Sequence, residues 1–382
     1  MDELAIGWER ALERLRTLGV EALAGAADRA QALERLEHLV DQTSLFLNWA
    51  VLHADPSRPA FHRHNDLVSQ WGGPNADNVY RHARIDPDRR YVIRGRMRSC
   101  DEFLLAVRAG FMHRPIWGTL EQRSATELGI GPGDEFEIAL GPGPDAIALP
   151  EGAVMVSIRE YYFDWVDDEP AAMTIECLDP EPPHQPEPLE QRLGSALDEV
   201  TDSIEYWRDY MEQHRASRVD NSYESTTVAL TKGLAAARYE FCFWRLAPDE
   251  ALVITTDEPA ARYWSAQLYM MDTFEPVDWY GSISSRNHRQ SQVSPDGRIR
   301  FVVSARDPSV ANWLDTSGRG EGLCTLRWFW PTSEVRPVVS TEVVPTADVA
   351  GHLGERVQPV PATERAEELA RRQAHLRWRF RV

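Results

Sequence analysis

The stretch Val154-Met155-Val156-Ser157-Ile158-Arg159-Glu160-Tyr161-Tyr162 alternates with the period of an extended backbone. Successive side chains of a strand point to opposite faces. Val154, Val156 and Ile158 share one face, the natural core, while Arg159 and Tyr161 share the other. The run Cys324-Thr325-Leu326-Arg327-Trp328-Phe329-Trp330 has the same pattern. Cys324, Leu326, Trp328 and Trp330 make its core face, and Arg327 and Phe329 turn away. Two strands far apart in the chain thus each set an arginine beside an aromatic ring on a face that is not the core.

Working outward, the surroundings of the two strands match in the same order. Asp134, Phe136 and Ile138 correspond to Asp296, Ile299 and Phe301, and Val79-Tyr80 with Asp86-Pro87 correspond to Leu268-Tyr269 with Glu275-Pro276. Short apolar stretches such as Tyr91-Val92-Ile93 alternate with turns such as Gly131-Pro132-Gly133-Asp134. Gly129-x-Gly131-x-Gly133 leads into a strand rather than a helix, so it reads as a hairpin turn and not a phosphate loop. The expected fold is mainly β with helical additions: two tandem antiparallel β-sandwich domains related by internal duplication, with an insertion in the first copy. If the copies pack face to face, Arg159 and Arg327 reach one shared cleft. The plainer alternative pairs each arginine with a nearby carboxylate, Glu160 or Asp164 for the first, or lays it over the ring.

Residues 1–60 read as a helical segment. Leu4, Trp8, Leu12, Leu15 and Leu18 recur at helical steps, Gly19 and Gly25 mark a break, and a second helix runs to Trp49. The first sandwich is expected over 61–178. Residues 179–249 form a connector: a proline-rich acidic linker at 179–188, a helix at about 189–217 and a second helical stretch at roughly 226–244. The second sandwich follows over 250–348. The tail, 349–382, ends in a basic-aromatic run that suits a helix or strand docked on an acidic body.

The second β region carries a familiar series: Arg262-Tyr263-Trp264-Ser265, Leu268-Tyr269, Ser294-Pro295-Asp296-Gly297, Asp307-Pro308, Asn312-Trp313-Leu314-Asp315-Thr316, Gly322 and Arg327-Trp328. It resembles the domain-of-unknown-function 1214 family. The Asn-Trp-Leu turn followed by an arginine-aromatic strand is the most specific feature. Residues 74–80 and 91–95 resemble the first half of the family's bacterial long-form members. The resemblance implies β-sandwiches with helical additions and no agreed activity.

Composition narrows the chemistry. The 382 residues hold 41 basic and 60 acidic side chains, a formal charge of −19, which repels phosphate backbones and makes nucleic acid an unexpected partner. Lys232 is the only lysine and follows no Gly-rich loop, so neither Schiff-base nor P-loop chemistry is expected. The cysteines (Cys100, Cys177, Cys242 and Cys324) are too far apart for a Cys-x-x-Cys site. The opening Met-Asp-Glu-Leu lacks a signal-peptide pattern, and no apolar run suits a membrane span, so the expected setting is cytoplasmic with no membrane partner. His62-x-His64-x-Asp66 is the single metal-like spacing. It follows two X-Pro turns and reads as a surface loop, and neither a metal nor a cofactor is expected.

The candidate ligand-contacting residues are Arg159, Tyr161, Asp278, Arg286, His288, Asn312, Trp313 and Arg327. Trp313 and Trp279, if exposed beside Asn, Asp and Arg, would stack on a sugar or an apolar ring system. The leading expectation is a small apolar or carbohydrate-like ligand in an inter-domain cleft. The alternatives are a hydrolase or lyase using a His/Asp site such as His288 with Asp278 or His64 with an acidic partner, and a scaffold or homo-oligomer acting through its helices.

Overall fold

The computed structural model describes residues 2–179, 187–223 and 237–380. Most of the expected proline-rich linker, the first part of the second helical stretch, and Lys232 lie outside the described residues.

Helices α1 (Asp2–Ala24) and α2 (Arg29–Leu47) open the chain. Gly19 does not interrupt α1. The break falls at Gly25, and Asp28 starts α2 by accepting the Gln31 N–H at 2.9 Å. The first β region holds β1 (Asn78–Arg84), β2 (Tyr91–Arg96), β3 (Glu102–Gly110), β4 (Gly118–Ser124), β5 (Glu135–Leu140), β6 (Met155–Tyr161) and β7 (Ala172–Cys177). After α3 (Leu189–Ala216) come β8 (Ala237–Arg245), β9 (Glu250–Asp257), β10 (Ala261–Tyr269), β11 (Ser285–Asn287), β12 (Arg298–Ser304), β13 (Trp313–Asp315), β14 (Glu321–Pro331) and β15 (Val339–Pro345). The short α4 (Val349–Leu353) and α5 (Ala362–Arg379) close the chain.

The strand β8 corrects the expectation of a helix reaching residue 244. Tyr239, Phe241 and Phe243 alternate with Glu240, Cys242 and Trp244, and a run this aromatic fits a pleated surface better than a helix. Two smaller corrections concern the core faces. Val154 precedes β6 and stays partly exposed. Trp330 takes a positive φ of 53°, which breaks the alternation and turns its ring onto Tyr161, 5.0 Å between centroids.

Each β region is a two-layer sandwich. In the first, the sheet β1-β6-β3-β4 covers β5-β2-β7; in the second, β8-β14-β10-β11 covers β15-β9-β12, with β13 added in parallel beside β12. The strand orders correspond throughout. Ile93, Leu105, Ile138 and Ile158 fill the first core, and Ile254, Leu268, Phe301 and Trp328 the second. Register fixes the equivalent positions. Arg159 sits opposite Tyr80 and Leu104; Arg327 sits opposite Tyr239 and Ser265. Tyr80 therefore corresponds to Tyr239, not to Tyr269 as the sequence match suggested. Tyr269 stands where the first sandwich has Arg108.

The outer faces of the β1-β6-β3-β4 and β8-β14-β10-β11 sheets meet. Leu104, Tyr161 and Phe163 pack against Ala237, Tyr263 and Phe329. Buried hydrogen bonds reinforce the junction: the Tyr263 hydroxyl donates to Asp77 at 2.6 Å, and the Asn287 amide donates to the same carboxylate at 2.7 Å. Helix α3 lies across both sandwiches, with Leu197 and Val200 toward the first and Trp207 and Met211 toward the second. Helix α5 spans the far side. Its Arg365 pairs with Asp307 at 3.0 Å, its Glu368 with Arg286 at 2.6 Å, and its His375 bonds the Asp168 carbonyl at 2.9 Å. The basic tail is thus a docked helix. Among the described residues, no helix is long and apolar enough to cross a membrane.

Candidate functional site

Between the two facing sheets lies a cavity of about 130 Å³. Its walls follow from period-two alternation. β1 contributes Tyr80 and His82, β3 contributes Ala106 and Arg108, and β6 contributes Ser157 and Arg159. The opposite wall is Tyr239 and Phe241 from β8 with Thr325 and Arg327 from β14. Trp207 and Tyr210 of α3, with Phe274 and the turn at 71–74, close the cavity. That turn fits closely: a Cβ on Gly73 would meet the Phe274 ring at 2.2 Å.

The arginine pair has a repeated geometry. The Arg159 guanidinium lies over the Tyr80 ring, 5.1 Å from its centroid, and Arg327 lies over Tyr239 at 5.6 Å and Tyr269 at 5.5 Å. Such stacking holds a cation where solvent is scarce. Arg327 also donates to the Tyr269 hydroxyl. Glu160 does not partner Arg159: it faces the core and pairs there with Arg81, while Asp164 accepts the Val166 N–H at 2.8 Å. Burial lowers the pKa of both cavity arginines, but neighbouring tyrosines, Tyr80 for Arg159 and Tyr269 for Arg327, outweigh it and hold them above the ordinary value. Arg108 has no such support. Burial, and then Arg159 beside it, bring its pKa down to about 10.

The expected site residues divide into groups. Arg159 and Arg327 line the cavity together, and Tyr161 lies beside it in the sheet-sheet junction. The other five lie elsewhere. Asp278 accepts the Gly281 N–H at 2.8 Å, and His288 packs edge-on against Phe163 at 4.9 Å, so the two do not form an acid-base pair with each other. Arg286 is taken by Glu368 and the Trp313 carbonyl. Asn312 adopts φ 57° in a turn and exchanges hydrogen bonds with Gln292. Trp313 and Trp279 are buried, not exposed for stacking; Trp313 donates to Ser304.

The His62-x-His64-x-Asp66 segment is not a surface loop. His64 is fully buried, 4.9 Å from His62 and 4.2 Å from His82 between ring centroids, and both its nitrogens lack hydrogen-bond partners. Burial drives the His64 and His82 pKa values well down, so these rings are neutral at pH 7. Asp66 is occupied by its own turn, accepting from Val68 and Ser69. Among the described residues, no group of three or more His, Cys, Asp or Glu side chains is placed to hold a metal ion.

A larger groove of about 720 Å³ lies between the helices and the second sandwich. Several of its charges pair with one another: Arg35 with Asp272 at 2.9 Å, Arg215 with Glu321 at 3.0 Å, Arg245 with Glu321 at 3.2 Å. Sequence reasoning missed Tyr80, His82, Arg108, Tyr239, Trp207 and Phe274 as cavity residues. Tyr80 and Tyr239 could have been found as cross-strand neighbours of the two arginines once the strand order was known.

Residues 245–333 match the family described as "Protein of unknown function (DUF1214)". No curated protein matches the chain. Among solved structures, the chain is similar to an uncharacterized protein from Burkholderia cenocepacia, with a TM-score of 0.81 and 25% identity over 89% of this chain and 97% of that one. It is more distantly similar to the VPA0106 protein from Vibrio parahaemolyticus, with a TM-score of 0.45 and 13% identity over 80% of this chain and 96% of that one. The first of these similarities extends the architecture well beyond the matched segment, and the Asn312-Trp313-Leu314 turn and Arg327-Trp328 strand lie inside that segment. Over residues 245–333 the chain is similar to the DUF1214 family.

Proposed function

We propose that the chain binds a small molecule between its two sandwiches. The observation that carries this reading is the cavity itself: a space bounded by two sheets of corresponding strand order, each contributing an arginine stacked on a tyrosine, and flanked by aromatic rings from α3 and Phe274. Cavities of this kind, apolar with a few convergent polar groups, are the usual seats of small ligands. The common strand order also supports the view that the halves are diverged copies whose facing surfaces became one site.

The test fills the cavity. Ala106 lines its floor and is buried. Ala106→Leu should abolish retention of a ligand in equilibrium dialysis against a metabolite extract, read by mass spectrometry, and so should the double change Arg159→Ala with Arg327→Ala. A ligand held equally well by all three proteins would mean that the site lies elsewhere. A second reading, self-association, has its own observation: Leu4, Trp8 and Leu12 follow one another along α1 at helical spacing, and each is about half exposed. Light scattering of the chain and of Trp8→Glu distinguishes a monomer from a dimer.

A further inference from the structure

The ligand's chemical class follows from what the cavity lacks. No aspartate or glutamate is among its described lining residues, in a chain with 60 acidic side chains against 41 basic ones. Three arginines nevertheless converge there. Arg108 has no side-chain hydrogen bond or ion pair among the described residues, and its Nε is buried without an acceptor. The Nε of Arg327 is in the same position, its donors otherwise meeting only the Tyr269 and Thr325 hydroxyls. Arg159 has aromatic rings around it and no carboxylate. Three buried arginines elsewhere in the sheets each have an acid: Arg81 has Glu160, Arg286 has Glu368, and Arg300 has Asp296.

Like charges held together in a poorly solvated space repel, and the buried donors of a guanidinium are costly to leave unmade. An anion between them would remove both penalties at once. Guanidinium groups also offer forked donors that match the two oxygens of a carboxylate. Aromatic rings form much of the remaining lining, and the volume is close to the roughly 150 Å³ that accommodates benzene in an engineered cavity.

We infer that the cavity takes a small organic acid, with its carboxylate among Arg108, Arg159 and Arg327 and a compact carbon body against the rings of Trp207, Tyr210 and Phe241. This rests on the small-molecule reading above and narrows it to one class. An inorganic anion would satisfy the arginines but leave the aromatic side of the cavity unfilled.

The probes are pairs of acids and their neutral amides of nearly equal shape, acetate with acetamide and benzoate with benzamide, together with inorganic phosphate, all at one ionic strength. Titration calorimetry measures affinity, and the fluorescence of Trp71 and Trp207, which line the cavity, reports occupancy. At least one acid should bind tenfold or more tightly than its amide. Arg159→Met and Arg108→Met should each weaken that acid by tenfold or more and leave the amide unchanged, and Arg159→Lys should recover part of the loss. Equal binding of acid and amide would overturn the inference while leaving the cavity reading intact. Phosphate binding more tightly than every carboxylate would overturn the organic class. If no acid, amide or phosphate binds at millimolar concentration, the inference fails, and dialysis of the extract against Ala106→Leu then decides whether the broader reading fails with it.

Discussion

Arg159 in the first sandwich and Arg327 in the second hold equivalent positions, each opposite a tyrosine on the neighbouring edge strand, yet their other neighbours differ in charge. On the side of β10, the second sandwich sets Gln267 and Tyr269, neutral groups that bond backbone and guanidinium alike. On the side of β3, the first sets Ala106 and Arg108. The other edge differs too, with His82 where the second sandwich has Phe241. The core faces differ in the opposite sense. The first buries the pair Arg81 and Glu160, whereas the second has Trp328 in the position of Glu160 and pairs the buried Glu240 with the half-exposed Arg336. One strand order therefore supports a charged core with two facing arginines on the wall of the first sandwich, and a largely apolar core with a single, tyrosine-held arginine on the wall of the second.

The core contrast predicts the largest effect. Removing one member of a buried ion pair strands the other, which costs about 3–5 kcal/mol. Glu160→Gln should lower unfolding stability by that amount in urea titrations, because Arg81 is left buried and Tyr162 loses a charged acceptor. In the second sandwich, Glu240→Gln should cost only about 0.2–1 kcal/mol, since half of the Arg336 side chain is in solvent. Equal losses at the two sites would break the comparison. The next effect belongs to the wall. Tyr269→Phe removes the acceptor for Arg327 and the donor to the Pro74 carbonyl at 2.7 Å, both buried, so we expect a loss of about 1–3 kcal/mol.

The parts of this contrast that sequence made legible are those governed by period two. Arg159 and Arg327 could be placed off the core because the residues flanking each alternate cleanly. Arg108 could not, because Phe103-Leu104-Leu105-Ala106-Val107 is apolar on both faces and gives no sign of which side meets a neighbour. β8 was hidden by its position after a run that reads as helical, although its alternating aromatics belong to a strand. Asn312 and Trp313 lie in a turn, where an exposed ring would suit a ligand. The turn folds back instead, placing Asn312 on Gln292 and Trp313 on Ser304. Trp207 and Tyr210 fall at ordinary helical spacing, so nothing local marks them as the cover of a cavity. Strand alternation is local information; which sheet faces another depends on contacts between residues far apart in the chain.

A smaller effect concerns the loops beside the junction. Arg262, the residue before Tyr263, corresponds in register to Asp101, the residue before Glu102, and the two meet: Arg262 donates to the Asp101 carbonyl at 2.9 Å. Only the first sandwich carries an acid there, and Asp101 lies against Asp168. Burial first, and then Asp101, push the Asp168 carboxyl up to about 8. A carboxyl whose folded pKa exceeds its unfolded value binds more protons in the native state, so its contribution is full in acid and is lost as pH rises toward 8. Asp168→Asn should therefore flatten the decline in stability between pH 5 and pH 9, by about 1 kcal/mol. An unchanged slope would remove the acid pair from the comparison.

The smallest effect carries the most pointed sign. Arg108→Tyr gives the first wall the residue that the second has at the equivalent position. The cavity offers room for the ring, and the like charge facing Arg159 disappears. The unliganded variant should be more stable than the natural chain by under about 1 kcal/mol, in thermal unfolding at low salt, with the gain shrinking as salt is added. Most substitutions in a buried wall destabilise, so a gain here would identify Arg108 as a residue whose cost to the fold is offset by something other than folding. A loss would mean that the guanidinium is already satisfied within the chain, and the energetic contrast between a wall of two facing arginines and a wall of one would disappear.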